Sequence, residues 1–260
     1  MNLYRTPIPM MQTPQTHVRR LLASVLLLSL GAVATVHAQT SPEDPASDEV
    51  AESEGAGFFA IGTHFTDLGP LNSQLSSAGY PTFASETVSI GGGGYGVTNR
   101  ILLGGEGHGL ITADRGLNGR NVSVGGGYGL FTLGYLFRPS PSARVFPQLG
   151  LGGGGLRLEI GSAGDASEFD DVLSNPNRRA TVGRASLLVR LGAGLEYEFS
   201  APDEEGGFRL GLRAGYMLSP LNSDWQLDET SLSGGPDATM QGPFIHLTIG
   251  GGGSDSDDED

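Results

Sequence analysis

The sequence predicts an all-β fold: a closed, antiparallel, eight-stranded transmembrane up-and-down barrel. Three observations predict it. The first is strict alternation in two late segments. From Leu187 to Phe199 every odd position is apolar (Leu187, Val189, Leu191, Ala193, Leu195, Tyr197, Phe199), and the even positions include Arg190, Gly192, Gly194, Glu196 and Glu198. Phe208 to Met217 repeats the pattern, with Phe208, Leu210, Leu212, Ala214 and Tyr216 set against Arg209, Gly211, Arg213 and Gly215. A strand sends successive side chains to opposite faces, so each segment has one apolar face and one charged, glycine-rich face. The second observation is the alternation of long and short connections between strand-like runs. The third is an export signal at the N-terminus.

The strand-like runs lie near Phe58–Thr66, Thr87–Val97, Arg100–Thr112, Asn121–Phe137, Arg144–Ile160, Thr181–Phe199, Gly207–Met217 and Pro243–Gly250. The first, third, fifth and seventh connections (Asp67–Glu86, Ala113–Arg120, Gly161–Ala180, Leu218–Gly242) are mostly long and polar. The second, fourth and sixth (Thr98–Asn99, Arg138–Ala143, Ser200–Gly206) are short and turn-like. An even number of antiparallel strands, with long loops at one end and short turns at the other, is how outer-membrane barrels are built.

The N-terminus supplies the address. Arg19 and Arg20 precede an apolar or small stretch, Leu21 to Val36, and Val36-His37-Ala38 offers small residues before a cut at Gln39. Residues 1–38 therefore read as a signal peptide, whose long n-region suggests a start at Met10 or Met11. A twin-arginine signal is the weaker reading, since only the pair is present. An uncleaved anchor is disfavoured because the run is shorter than the roughly 20 residues a spanning helix needs. Residues 39–57 read as a disordered acidic linker and 251–260 as a disordered acidic tail, ending Asp257-Asp258-Glu259-Asp260. Residues 58–250 form the barrel domain.

The 15 basic residues are all Arg, and there is no Lys or Cys. Three of the 15 fall in residues 1–38, leaving 12 against 29 acids in the mature chain, a formal charge of −17. That argues against nucleic acid and anionic membrane surfaces as partners. Lack of Cys excludes disulfides and thiol chemistry. Lack of Lys excludes a phosphate-binding loop of the Walker type and a Schiff base.

The aromatic residues are expected to form a girdle at the short-turn end: Phe58, Phe59, Tyr135, Phe137, Phe146, Tyr197, Phe199 and Phe208. A soluble eight-stranded barrel fills its inside with apolar side chains. Here the apolar face carries the larger residues, and the other face carries Gly, Arg and Glu. On these features the chain resembles the small eight-stranded outer-membrane barrels, of the kind seen as the membrane domain of OmpA-like proteins. The resemblance covers roughly Phe58 to Gly250 and rests on architecture rather than on a family motif. It implies a bacterial outer-membrane location, lipid and the barrel insertion machinery as partners, a monomer, no cofactor and no enzymatic activity. Two departures stand out. Such barrels usually end in an aromatic residue, whereas this chain ends in acids, leaving Phe244-Ile-His-Leu-Thr-Ile249 as an internal signal. No globular domain follows the barrel.

The remaining motifs are weighed against structural roles. Gly91-x-Gly93-x-x-Gly96 matches a dinucleotide fingerprint literally, but a strand follows it where a helix is required. The glycine runs Gly91–Gly94, Gly125–Gly127, Gly152–Gly155 and Gly250–Gly253 instead suggest bends and relief of crowding. The apolar phase slips near Leu130–Phe131 and Gly152–Gly155, which suggests bulges. Glu106, Glu196 and Glu198 against Arg190, Arg209 and Arg213 are expected to plug the lumen as an ion-pair network. His64, His108 and His246 are expected in the lumen, His64 meeting His246 with His108 across from them; hydrogen bonding is the expected role, metal binding the lesser one. No Gly-x-Ser-x-Gly elbow or triad emerges, and no catalytic, cofactor or metal site is assigned. Trp225 in the last long loop is expected at the lipid interface or as an anchor for a partner. The expected role is a non-enzymatic envelope protein that supports membrane integrity or presents its loops. A small-solute pore and a secreted soluble barrel binding a small ligand are the alternatives.

Overall fold

Eight long strands, each antiparallel to the next, close into a ring in the computed structural model of the chain. They are β1 Ser53–Phe65, β2 Glu86–Thr98, β3 Ile101–Ile111, β4 Arg120–Tyr135, β5 Ala143–Ser162, β6 Arg179–Ser200, β7 Gly206–Asn222 and β8 Gly242–Asp255. Closure is made by β1, where Phe59 lies opposite Gly92 of β2 on one side and Ile249 of β8 on the other. The structure describes residues 53–112, 114–117, 119–162, 179–200 and 206–255, all within one compact unit, Pro45–Asp260. The expected signal peptide 1–38, the expected linker before Ser53 and the expected tail after Asp255 lie outside the described residues.

All eight expected strands are present, with two corrections at the ends. The stretch assigned to the linker already belongs to β1 from Ser53, and β8 continues through the stretch assigned to the tail as far as Asp255. The two glycine-rich ends hold each other: Gly253 pairs with Gly55 and Gly251 with Gly57. A β-ladder needs backbone groups rather than side chains, so a glycine run that reads as a breaker can still pair.

The inside and the outside are as the alternation requires. Leu191 is 53% exposed while its neighbour Arg190 is 0% exposed. Leu195, Leu210 and Leu212 face outward, and Glu196, Arg209 and Arg213 face the lumen. Tyr135, Phe137, Tyr197, Phe199 and Phe208 are exposed on the outer surface at the short-turn end, with the Tyr135–Phe137 and Tyr197–Phe199 rings in edge contact; Phe59 is exposed too, but halfway along β1 rather than at its start, because the strand begins at Ser53. Phe146 and Phe58 depart from the expected girdle. Phe146 is fully buried in the lumen, and Phe58 packs beside it.

The expected bulges lie elsewhere. Leu130 sits in an unbroken ladder, opposite Glu106 and Gly152. The register shift is between β6 and β7, where Ser219 and Pro220 together face Leu188. Proline has no N–H to give the ladder, so the extra residue collects there. The apparent phase slip on β4 and β5 has another cause. Leu130, Leu156 and Leu158 are apolar and yet face inward, because the long-loop half of the lumen is an apolar core.

That core continues into the loops. The first long connection holds a helix, α1 Gly69–Ser77, not expected from its polar composition. Pro70 stands in its first turn, where a missing N–H costs nothing, and Gly79, at φ +75°, follows its end. Leu71 and Leu75, one turn apart, point down from it. They join Leu68, Phe83, Trp225, Ala238 and Met240 from the first and last long loops in one cluster with Leu110, Val122, Tyr128, Leu188 and Met217 of the strands. The long-loop mouth of the barrel is thus capped by its own loops. Trp225 is 4% exposed and its indole N–H donates to the Pro236 carbonyl at 2.7 Å. It is neither at the lipid interface nor open to a partner.

Candidate functional site

The lumen below the cap is filled by charge. The floor, at the short-turn end, gathers Glu54 of β1, Arg144 of β5, Glu198 of β6 and Arg209 of β7. Arg144 reaches Glu54 at 3.0 Å and Glu198 at 2.5 Å. Arg209 reaches Glu54 at 2.5 Å and Glu198 at 2.7 Å. Arg138, from the turn between β4 and β5, pairs with the other Glu54 oxygen.

One level higher, Arg213 of β7 bridges Glu196 at 2.9 Å and Glu106 at 3.3 Å. Its guanidinium lies 3.7 Å from the centroid of the Phe58 ring and 5.4 Å from that of Phe146, a cation–π seat. Tyr95 of β2 links the levels: its hydroxyl donates to Glu196 and accepts from Arg209 at 3.2 Å. At mid-lumen Arg190 of β6 pairs with Glu106 and donates to Gln148 at 2.8 Å.

Arginine suits this lattice in a way lysine does not. Arg144, Arg209 and Arg213 each span two carboxylates with different guanidinium nitrogens, which a compact ammonium cannot do in a fixed fork. Four carboxylates (Glu54, Glu106, Glu196, Glu198) meet four interior guanidiniums (Arg144, Arg190, Arg209, Arg213), so the interior is close to neutral. A cavity lined by Phe58, Tyr95, Glu196, Arg209 and Thr248 has a volume of about 10 Å³, room for about one water.

The inward-facing glycines make this density possible. Beneath each bulky lumen side chain the adjoining strand carries Gly: Gly93 under Glu106, Gly91 under His108, Gly194 under Phe146, Gly252 under Arg209. A Cβ at Gly93 would lie 2.3 Å from the Gly105 carbonyl oxygen, and one at Gly194 would lie 2.3 Å from the Phe146 ring. Gly91 and Gly93 of the fingerprint-like spacing therefore cradle lumen side chains, whereas Gly96 lies exposed on the outer face.

Above Arg190 lies a polar pocket of another kind. His108 of β3 and His246 of β8 stack with centroids 4.6 Å apart and planes at 16°. Tyr128 of β4 stacks on the other face of His108, at 4.9 Å. The expected meeting of His64 with His246 is replaced by the meeting of His246 with His108. In the staggered ladder Gly62, not His64, stands opposite His246. His64 rises one step higher, and its Nε2 bonds the Met240 carbonyl of the cap at 2.8 Å. Among the described residues no three His, Cys, Asp or Glu side chains converge as a metal site would require.

Ser89 Oγ lies 3.2 Å from His108 Nδ1, and His108 Nε2 lies 3.3 Å from Glu106 Oε1. The order Ser–His–carboxylate is that of a nucleophile relay. Ser89 is, however, fully buried, and Glu106 is held by Arg190 and Arg213. The sequence reasoning found Glu106, Glu196, Glu198 and the three Arg of β6 and β7. It missed Glu54, which is hidden among the acids of the linker, and Arg144, whose strand shows no clean alternation. It also missed Tyr95, Gln148 and Tyr128.

No protein-family model matches the sequence, and no curated protein matches it. Among solved structures the chain is similar to Ail, the attachment invasion locus protein of Yersinia pestis, with 13% identity and a TM-score of 0.40 over 78% of this chain and 99% of that one. It is similar to Neisserial surface protein A, with 12% identity and a TM-score of 0.40 over 77% of this chain and 96% of that one. It is also similar to the outer membrane protease OmpT of Escherichia coli, with 9% identity and a TM-score of 0.33 over 82% of this chain and 99% of that one. Likenesses this distant carry no role across. The fold is read from the closed ladder of strands itself.

Proposed function

We propose that this chain is a sealed, non-enzymatic barrel of the bacterial outer membrane, exported by a signal peptide removed after Ala38. Its work is mechanical: it reinforces the envelope and holds its capped loops in fixed positions outside the cell. The observation that carries this reading is the inversion of the barrel. The outer surface bears Leu191, Leu195, Leu212, Leu247 and Ile249, whereas the charges point inward and bury one another. Such a surface needs lipid as its solvent, which disfavours the secreted soluble barrel. A filled floor and an apolar cap disfavour the solute pore. Lipid and the insertion machinery, engaged through β8, are the proposed partners, and the barrel is proposed to act as a monomer.

Purified protein folded into planar bilayers tests the reading. At neutral pH it should show no steady conductance above that of the protein-free membrane. Stable unitary openings of the wild-type barrel would return the pore to first place.

A further inference from the structure

The wall of the barrel has two unlike outer faces. On β6, β7 and β8 it is covered by large side chains, Leu191, Leu195, Leu212 and Leu247 among them. Across β2, β3, β4 and β5 it is bare. Gly92, Gly107, Gly129 and Gly153 stand opposite one another in turn along the hydrogen bonds. Alternation turns this row outward: Gly107, for example, lies between the inward-facing Glu106 and His108.

The lumen does not require the bareness. An added Cβ at Gly105, Gly107, Gly109, Gly125 or Gly153 would meet nothing nearer than 3.5 Å. Glycine inside a strand is costly in conformational entropy. A strand face stripped to its backbone marks a place where another surface comes close.

The shape of the bare band says which surface. Strands of such a barrel lean by about 35–45°, so a row that follows the hydrogen bonds climbs around the wall. Gly92 stands six residues from Thr98 at the short-turn end of β2, and Gly153 ten residues from Ala143 at the short-turn end of β5. The band is therefore low on β2, at Gly94 and Gly96, and high on β4, at Gly125 and Gly127. Bulky residues fill what it leaves. Low on β4 are the exposed Phe131 and Leu133, and high on β2 are the exposed Val88 and Ile90.

We propose that this face seats a second copy of the barrel, the two related by a two-fold axis along the membrane normal that passes beside β3. Two copies inserted in the same direction form a closed pair only about such an axis. The rotation sets β2 of each copy against β4 of the other. Phe131 and Leu133 of one copy then meet the low glycines of the other's β2, and Val88 and Ile90 meet the high glycines of its β4. At the axis the β3 backbones approach each other across Gly107, the close packing that small residues permit within lipid. Five strands about 4.8 Å apart and an apolar height of about 25 Å give a face of roughly 500 Å² per copy. The pair covers about 1,000 Å², the least a specific interface needs. Each barrel is closed and filled by itself, so the pair is a lateral association of two finished monomers. It rests on the outer-membrane reading proposed for the chain.

The chain has no cysteine, so one introduced thiol reports one contact. The axis sets residue 107 of each copy beside its twin, within the Cα separation of about 4.4–6.8 Å that a disulfide spans. The full chain carrying Gly107→Cys, folded in dilute phosphatidylcholine vesicles and oxidised, should give at least fivefold more covalent dimer than Ala214→Cys on β7. With no lysine present, amine-reactive dyes label the terminal amine alone. Energy transfer between copies labelled there should fall at least threefold in Gly107→Val and stay unchanged in Ala214→Val. Equal cross-linking at residues 107 and 214 would overturn the pairing, as would transfer that survives Gly107→Val; the bare face would then belong to lipid or to another protein. Should Gly107→Val not fold, the cross-linking decides. A wild-type chain that does not enter the vesicles would overturn the membrane reading together with the pairing, whereas a folded barrel that stays dispersed overturns the pairing alone.

Discussion

Two glycine substitutions on neighbouring strands should have opposite effects. Gly93 of β2 faces the lumen and Gly107 of β3 faces outward. At Gly93 an added Cβ falls 2.3 Å from a backbone oxygen and 2.7 Å from the Glu106 Cβ. Backbone atoms of a ladder do not yield cheaply. Overpacking of this kind costs about 1–3 kcal/mol. Pushing Glu106 away from Arg190 and Arg213 adds part of the roughly 3–5 kcal/mol that breaking a buried ion pair costs. Gly93→Ala should therefore destabilise the barrel by at least about 3 kcal/mol. At Gly107 the nearest atom to an added Cβ is the Tyr128 oxygen at 3.7 Å, an ordinary contact. Gly107→Val relieves the entropic penalty of glycine in a strand and should be neutral or stabilising by up to about 1 kcal/mol. The pair should differ by about 4 kcal/mol, close to a thousandfold in the folding equilibrium. Urea titration in vesicles, read by Trp225 emission and by the mobility of unheated protein in detergent gels, measures the difference. Equal midpoints for the two variants would refute the assignment of lumen and lipid faces.

Further substitutions test the same architecture. Leu212→Arg puts a charge on the lipid face, where it should cost about 2–4 kcal/mol near mid-membrane and lower the folded yield in vesicles. Leu212→Ile should leave that yield unchanged. Arg213→Leu leaves Glu196 and Glu106 short of a partner and should cost about 3–5 kcal/mol in urea titration. Adding Glu196→Leu should recover part of that loss, and a double variant weaker than the single one would contradict the bridge.

How much of this was legible depended on which solvent each face meets. The lipid face is apolar along its whole height, so the period-two signal survived in β6 and β7, and with it the inward arginines. The lumen changes character from the charged floor to the apolar cap. Along β4 and β5 both faces therefore become apolar, at Leu130, Leu156 and Leu158, and the alternation vanishes without any bulge. Glu54 was unreadable because a carboxylate in an acidic run looks solvated until a guanidinium is placed beside it. The helix α1 is two turns long and buries two leucines, too little for a helical period to show. The pairing of His108 with His246 depends on the stagger between strands, which a linear sequence does not print.

The ion lattice also bears on how the barrel is assembled. Glu54, on the first strand, finds its partners on β5 and β7, and Glu106 of β3 finds its partners on β6 and β7. The strands β1 to β6 already give Glu54 the guanidiniums of Arg138 and Arg144 and give Glu106 that of Arg190, but Glu196 has no guanidinium until Arg213 arrives with β7, and a sheet with an open seam between β1 and β8 would turn these groups toward hydrocarbon or water. Partial structures therefore hold uncompensated charge in the membrane, and the stabilisation arrives only as the ring shuts. Such a chain is driven toward cooperative, all-or-none closure, with few populated intermediates between the unpaired chain and the finished barrel.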